Sequence, residues 1–113
     1  MQTSFSSASV TGLKQNSKMA VYVILDIDVK NPRGYEQYKK KGAPTIASYG
    51  GKPLARGGKV EILEGNWHPK RMVMLEFDNM ESAKRWWNSP EYKEAKKLRH
   101  KSAKTNVILL EGL

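Results

Sequence analysis

Asp26, Glu76, Arg56 and His68 are the side chains with which this sequence could do acid–base or anion-binding chemistry on a small molecule. In the segment Val21–Val29, V-Y-V-I-L-D-I-D-V, the odd positions are all apolar, so Tyr22, Ile24, Asp26 and Asp28 share the other face of a strand. Glu76 and Met74 hold the corresponding face of Arg71–Phe77, whose alternate residues Val73, Leu75 and Phe77 are apolar. On the same parity rule Arg56, closing the strand Lys52–Arg56, projects among them. A carboxylate framed by Tyr22, Ile24 and Met74 suits a general base, Asp26 or Glu76, with Arg56 holding the anionic group of an apolar or aromatic acid. A plainer reading uses the same residues: Asp26 or Glu76 pairs with Arg56 or Arg71 and fixes strand register or dimer geometry.

His68 belongs to the side-chain type that exchanges protons near neutrality, and Trp67 beside it offers an apolar wall. It would serve as a gate or second base; the alternative is a structural turn, since Pro69 follows. His100 sits among Arg99 and several lysines and reads as a surface residue. With two histidines and no cysteine, the chain has poor material for a zinc site, and no metal or cofactor is expected. Trp86 and Trp87 are about 100° apart on a helix, so one should enter the core and the other cover the next helix. No phosphate-binding glycine loop, dinucleotide fingerprint or serine-nucleophile elbow is present.

The elements that must position these groups follow in order. After the strand Val21–Val29, Asn31-Pro32 opens a helix, which Gly42 and Pro44 should kink or split. Tyr49-Gly50-Gly51 ends it. Lys52–Arg56 and Lys59–Leu63 read as strands around a Gly57-Gly58 turn, with a loop over 64–70 and then Arg71–Phe77. Asp78-Asn79-Met80-Glu81 starts a second helix and Ser89-Pro90-Glu91 restarts it. Asn106–Glu111 closes the chain as a strand. Strand, helix, strand, strand, helix, strand is an α+β, ferredoxin-like βαββαβ order with an antiparallel sheet and helices on one face. The bare face, with Tyr22, Ile24 and Met74, is too apolar for water, so a homodimer through the sheet face is expected.

The chain has 113 residues and a formal charge of +9, from 20 basic and 11 acidic residues. Most lysines interleave with apolar residues at helical positions, as on a solvated face, and there is no exposed-aromatic pattern of an RNA-binding sheet. A small-molecule ligand is therefore expected as the partner rather than nucleic acid. No run is long enough to cross a membrane. Residues 1–18 are rich in Ser and Thr and hold no acid. They read as a flexible leader, an expression-derived addition, an upstream start or a weak transit-like segment, ahead of one domain over 19–113. The expected location is the cytoplasm, with organelle targeting by residues 1–18 as the alternative.

Several pieces together resemble one family, catalogued as domain of unknown function 1330: Tyr49-Gly50-Gly51, Glu64-Gly65-Asn66-Trp67, Pro69-Lys70-Arg71, Phe77, and Trp86-Trp87-Asn88-Ser89-Pro90-Glu91-Tyr92. The likeness continues through Arg99 to Glu111-Gly112. It implies a dimeric α/β barrel, a superfamily whose members include cofactor-free monooxygenases, muconolactone isomerase-like enzymes, haem-binding enzymes and stress-response proteins. The family brings no settled reaction. A small-molecule protein, enzymatic or not, and a structural or stress-associated homodimer are thus both expected readings.

Overall fold

In the computed structural model, which describes residues 19–113, a four-stranded antiparallel sheet carries all its helices on one face. The leader reading falls on residues outside this range. The elements are β1 (Val21–Val29), α1 (Pro32–Ser48), β2 (Lys52–Arg56), β3 (Arg71–Phe77), α2 (Met80–Trp87), α3 (Pro90–Ser102) and β4 (Ala103–Glu111). The sheet order is β2-β3-β1-β4, the ferredoxin-like arrangement. No helix of the described residues is long and apolar enough to cross a membrane.

Register follows from the alternation in β1. Val21, Val23, Leu25 and Ile27 are buried beneath the helices, opposite Phe77, Leu75, Val73 and Arg71 of β3. A slip of one residue would turn these four apolar side chains to the open face, at about 1.5–3 kcal/mol for each fully buried one. Trp86, Tyr92 and Ala95 complete the core from α2 and α3. Trp86 packs on Phe77 and Tyr92 while Trp87 lies half-buried over α3, as the helical spacing predicts.

Helix starts are set by side-chain caps. The side-chain oxygens of Asn31, Asn79 and Ser89 accept from the amides of Gly34, Ser82 and Tyr92. Two expectations need correction. First, α1 is one continuous helix through Pro44. Pro44 and Lys40, whose carbonyl loses its usual partner, both lie on the exposed side, where water can satisfy that carbonyl. Second, 59–63 is not a strand: the hairpin joins β2 directly to β3 across a long loop, 57–70. The alternation in 59–63 has no neighbouring strand to pair with among the described residues.

α1 ends through Gly50, at φ 83°, and Gly51, whose amide donates to the carbonyl of Ile46 at 2.8 Å. A Cβ on Gly51 would stand 2.6 Å from the Phe77 ring, so this close approach of the chain to the core needs glycine.

Candidate ligand cavity

The open sheet face holds Tyr22, Ile24, Asp26, Met74 and Glu76, as strand parity requires, but does not gather their charges. Glu76 stands opposite Tyr22, four residues along β1 from Asp26. At the usual strand rise this separates the two carboxylates by about 13 Å. Each already has a partner. Trp67 Nε1 donates to Asp26 Oδ2 at 3.0 Å, and the Lys70 amide donates to Asp26 Oδ1 at 3.0 Å. Asp26 thus ties the end of the 57–70 loop to the sheet. Glu76 faces Lys52 Nζ at 3.7 Å, an exposed pair of small energetic weight. Trp67 and His68 are both exposed on the loop.

Arg56 lies elsewhere. Plain alternation would set residues 52, 54 and 56 on one face, but β2 bulges between Pro53 and Ala55. The extra residue shifts the parity, so Arg56 pairs with Val73 and its side chain goes to the helix side. There it meets a cavity of about 300 Å³ between α1 and the sheet. The floor is apolar, made by Leu25, Ile27, Val73, Leu75, Ile46 and Trp86. The polar lining is phenolic and cationic, from Tyr35, Tyr38, Lys39, Arg56 and Arg71, with no carboxylate.

These polar groups are positioned by specific contacts. Arg71 Nε donates to the Tyr35 hydroxyl at 3.1 Å, and its guanidinium lies over the Tyr35 ring at 5.6 Å. Gly57 makes room for it: at φ 66° it presents no side chain, and a Cβ there would collide with the Arg71 guanidinium. Lys39 is held at 2.8 Å by Glu36. Neither Arg56 nor Arg71 has an acidic partner within ion-pair distance among the described residues. Trp86 is fixed at the floor because its Nε1 donates to Thr45 Oγ1, which itself donates to the Gly42 carbonyl.

Behind the cavity, the hydroxyls of Tyr38 and Tyr92 are 2.8 Å apart. Burial, and then Tyr92 beside it, push the Tyr38 phenol well above its ordinary pKa, so it acts as a neutral hydrogen-bonding group. Arg99 is fully buried, 5.7 Å from the ring centres of Tyr38 and Trp87, with Nη1 bonded to Thr105 Oγ1. Its Nε and Nη2 have no partner among the described residues. Burial, together with Arg99, lowers the pKa of Lys96, which sits 3.9 Å from the centre of the Trp87 ring. No cluster of three or more His, Asp or Glu side chains suited to a metal ion occurs among the described residues.

The sequence reading missed Arg71 as a cavity residue and Arg99 as a buried cation. Parity carried the first signal, because Arg71 shares its face with Val73, Leu75 and Phe77. The second was visible in helical spacing, since Tyr92, Ala95 and Arg99 fall on one side of α3.

Among solved structures, a protein of unknown function from Rhodopseudomonas palustris matches with a TM-score of 0.71 at 19% identity, covering 86% of this chain and 85% of that one. A dimeric ferredoxin-like protein of unknown function from Thermobifida fusca matches with a TM-score of 0.61 at 14% identity, covering 84% and 92%. SnoaB, a cofactor-independent oxygenase from Streptomyces nogalater, matches with a TM-score of 0.56 at 12% identity, covering 83% and 92%. At such identities the likeness is one of fold. No curated protein matches the chain in sequence. The model of the family described as domain of unknown function (DUF1330) matches residues 20–113, and the chain belongs to that family.

Proposed function

We propose that this protein is a homodimer that binds a small apolar or aromatic acid in the cavity between α1 and the sheet. The carrying observation is the pairing of an apolar floor with Arg56 and Arg71, two guanidinium groups that have no acidic partner among the described residues. A planar guanidinium matches a carboxylate through two parallel hydrogen bonds, and Tyr35 holds Arg71 by its Nε so that the terminal nitrogens stay free for a ligand. Leu25, Val73 and Trp86 then take the hydrocarbon or ring. Asp26 and Glu76 lie on the opposite side of the sheet from this cavity and act as anchors, for the loop and for a surface ion pair. His68, on the same loop as Trp67, stands outside the cavity. The kinship of fold with a cofactor-independent oxygenase favours turnover of the bound acid as a second stage, with Tyr35 and Tyr38 as the phenol-bearing residues of the lining.

The test is titration with 1-naphthoate, followed by quenching of tryptophan emission, beside the neutral 1-naphthalenemethanol. Saturable binding of the acid, weakened at least about tenfold in Arg71→Gln, is the expected result, about 1.4 kcal/mol or more. Equal affinity for the neutral analogue, or no saturation, would overturn the reading.

The dimer rests on the open sheet face, where half-buried Ile24 and Met74 lie beside exposed Ile108 and Leu110. An apolar patch of this kind marks a protein contact. Sedimentation velocity on the full chain measures the state directly: a dimer supports it and a monomer removes it.

A further inference from the structure

Segment 59–64, Lys-Val-Glu-Ile-Leu-Glu, has the alternation of a strand but pairs with no strand among the described residues. Val60, Ile62 and Leu63 are all exposed, Leu63 at 94%. A stretch with strand patterning and no neighbour to bond with is a local conflict, and a second chain is one way to resolve it. The loop is anchored at its far end, since Trp67 and Lys70 both bond Asp26 on the open sheet face.

The sheet offers two edges. β2 is a poor template, because it is short, bulged and carries Pro53, which has no amide to donate. β4 is the better one. It runs nine residues without proline, and among the described residues nothing pairs with its outer side. Its open-face positions Ile108 and Leu110 are 56% and 52% exposed.

We propose that residues 59–64 of one copy add to the β4 edge of a second copy as an antiparallel strand, with Val60 opposite Leu110 and Ile62 opposite Ile108. In this register Val60 and Ile62 extend the apolar row of the open face, and Leu63 falls opposite Val107 on the helix side. Charge selects the direction. Antiparallel alignment sets Lys59 opposite Glu111 and Glu64 diagonal to Lys104; parallel alignment would turn Lys59 toward Lys104 and Glu64 toward Glu111. Two-fold symmetry gives the contact twice per dimer, so each copy's free edge is covered by its partner's arm. The pairing rests on the dimer reading above and goes beyond it by naming the contact.

The chain has no cysteine, so paired variants report cleanly. Full-length Val60→Cys carrying a tag is mixed with untagged Leu110→Cys under mild oxidation, because directly opposed strand residues lie within disulfide reach. The expected product is a disulfide-linked heterodimer well above the level that random pairing gives, and several-fold less when Asn106→Cys replaces Leu110→Cys. Heterodimer at the random level would overturn the pairing. So would a Leu110→Cys thiol that is shielded from maleimide in a monomer, which is the result if another part of the same chain covers this edge. The two readings separate by sedimentation: a monomer removes both, and a dimer without the selective disulfide removes this pairing alone.

Discussion

Trp67 donates its indole hydrogen to Asp26 across the open face of the sheet, Nε1 to Oδ2 at 3.0 Å, while the Lys70 amide takes the other carboxylate oxygen. The carboxylate that sequence alone marks as a possible base is therefore engaged on both oxygens. It fastens the end of the long 57–70 loop to the sheet. In Asp26→Asn one acceptor becomes an amide NH2 that confronts a donor, at about 1 kcal/mol for an exposed charge-assisted bond. The thermal midpoint should fall by roughly 4–8 °C, and Trp67 emission should shift to the red. Binding of 1-naphthoate should not change. A base at a substrate would give the reverse pattern: activity lost, midpoint kept.

Gly57 and Arg71 form a second dependent pair. The guanidinium occupies the space that a side chain at 57 would need, and the positive φ of Gly57 disfavours any other residue. Gly57→Ala should displace Arg71 from Tyr35 and weaken binding of 1-naphthoate by about tenfold, the equivalent of one charged hydrogen bond. Its far-UV circular dichroism should match the parent protein. Unchanged affinity would mean that Arg71 does not hold the acid.

The strand parity of β1 and β3, the caps at Asn31 and Ser89 and the split of Trp86 from Trp87 were all legible in the sequence, because each depends on nearest neighbours and a fixed period. What was hidden depends on events that periodicity does not record. The bulge beside Leu54 moved Arg56 from the sheet face to the cavity, and so separated the expected anion partner from Asp26 and Glu76. The Lys59–Leu63 pattern reads as a strand because it is one in composition; pairing, which needs a neighbour, is a tertiary property. Gly42 and Pro44 were expected to kink or split α1, yet the Pro44 side of the helix faces water and the helix is not split. The sites of disagreement, β2 and the loop after it, are also those that bring Arg56 and Gly57 to the cavity.

Arg99 offers a stability test. A guanidinium stays charged when buried, and two of its nitrogens have no partner among the described residues. Against this stand the Thr105 hydroxyl and the rings of Tyr38 and Trp87, each worth on the order of 1 kcal/mol. Desolvation of an unpaired ion is the larger effect, several kcal/mol. Arg99→Met keeps the stem and removes the charge, so the urea midpoint should rise, by about 1–3 kcal/mol in stability. A fall would show that the guanidinium holds an acceptor, water or anion, that compensates its burial.

His100 sets the pH dependence near neutrality. Burial first, then the charges of Arg99 and Lys96, hold its imidazole below the ordinary value of 6.5 in the folded chain. On unfolding the ordinary value returns, so below it the unfolded chain binds the proton first. The stability associated with His100 is therefore full above pH 6.5 and declines as pH falls, levelling off once the folded value is passed. Asp28 and Glu36, held low first by hydrogen bonds from Lys30 and Lys39, titrate below this window and leave it undisturbed. Urea unfolding at about pH 7.5 and about pH 5 should show a modest loss for the parent chain and a smaller one for His100→Asn, modest because the ring is largely exposed. Equal losses in the two proteins would mean that burial and the neighbouring charges do not hold the folded-state His100 imidazole below its ordinary value.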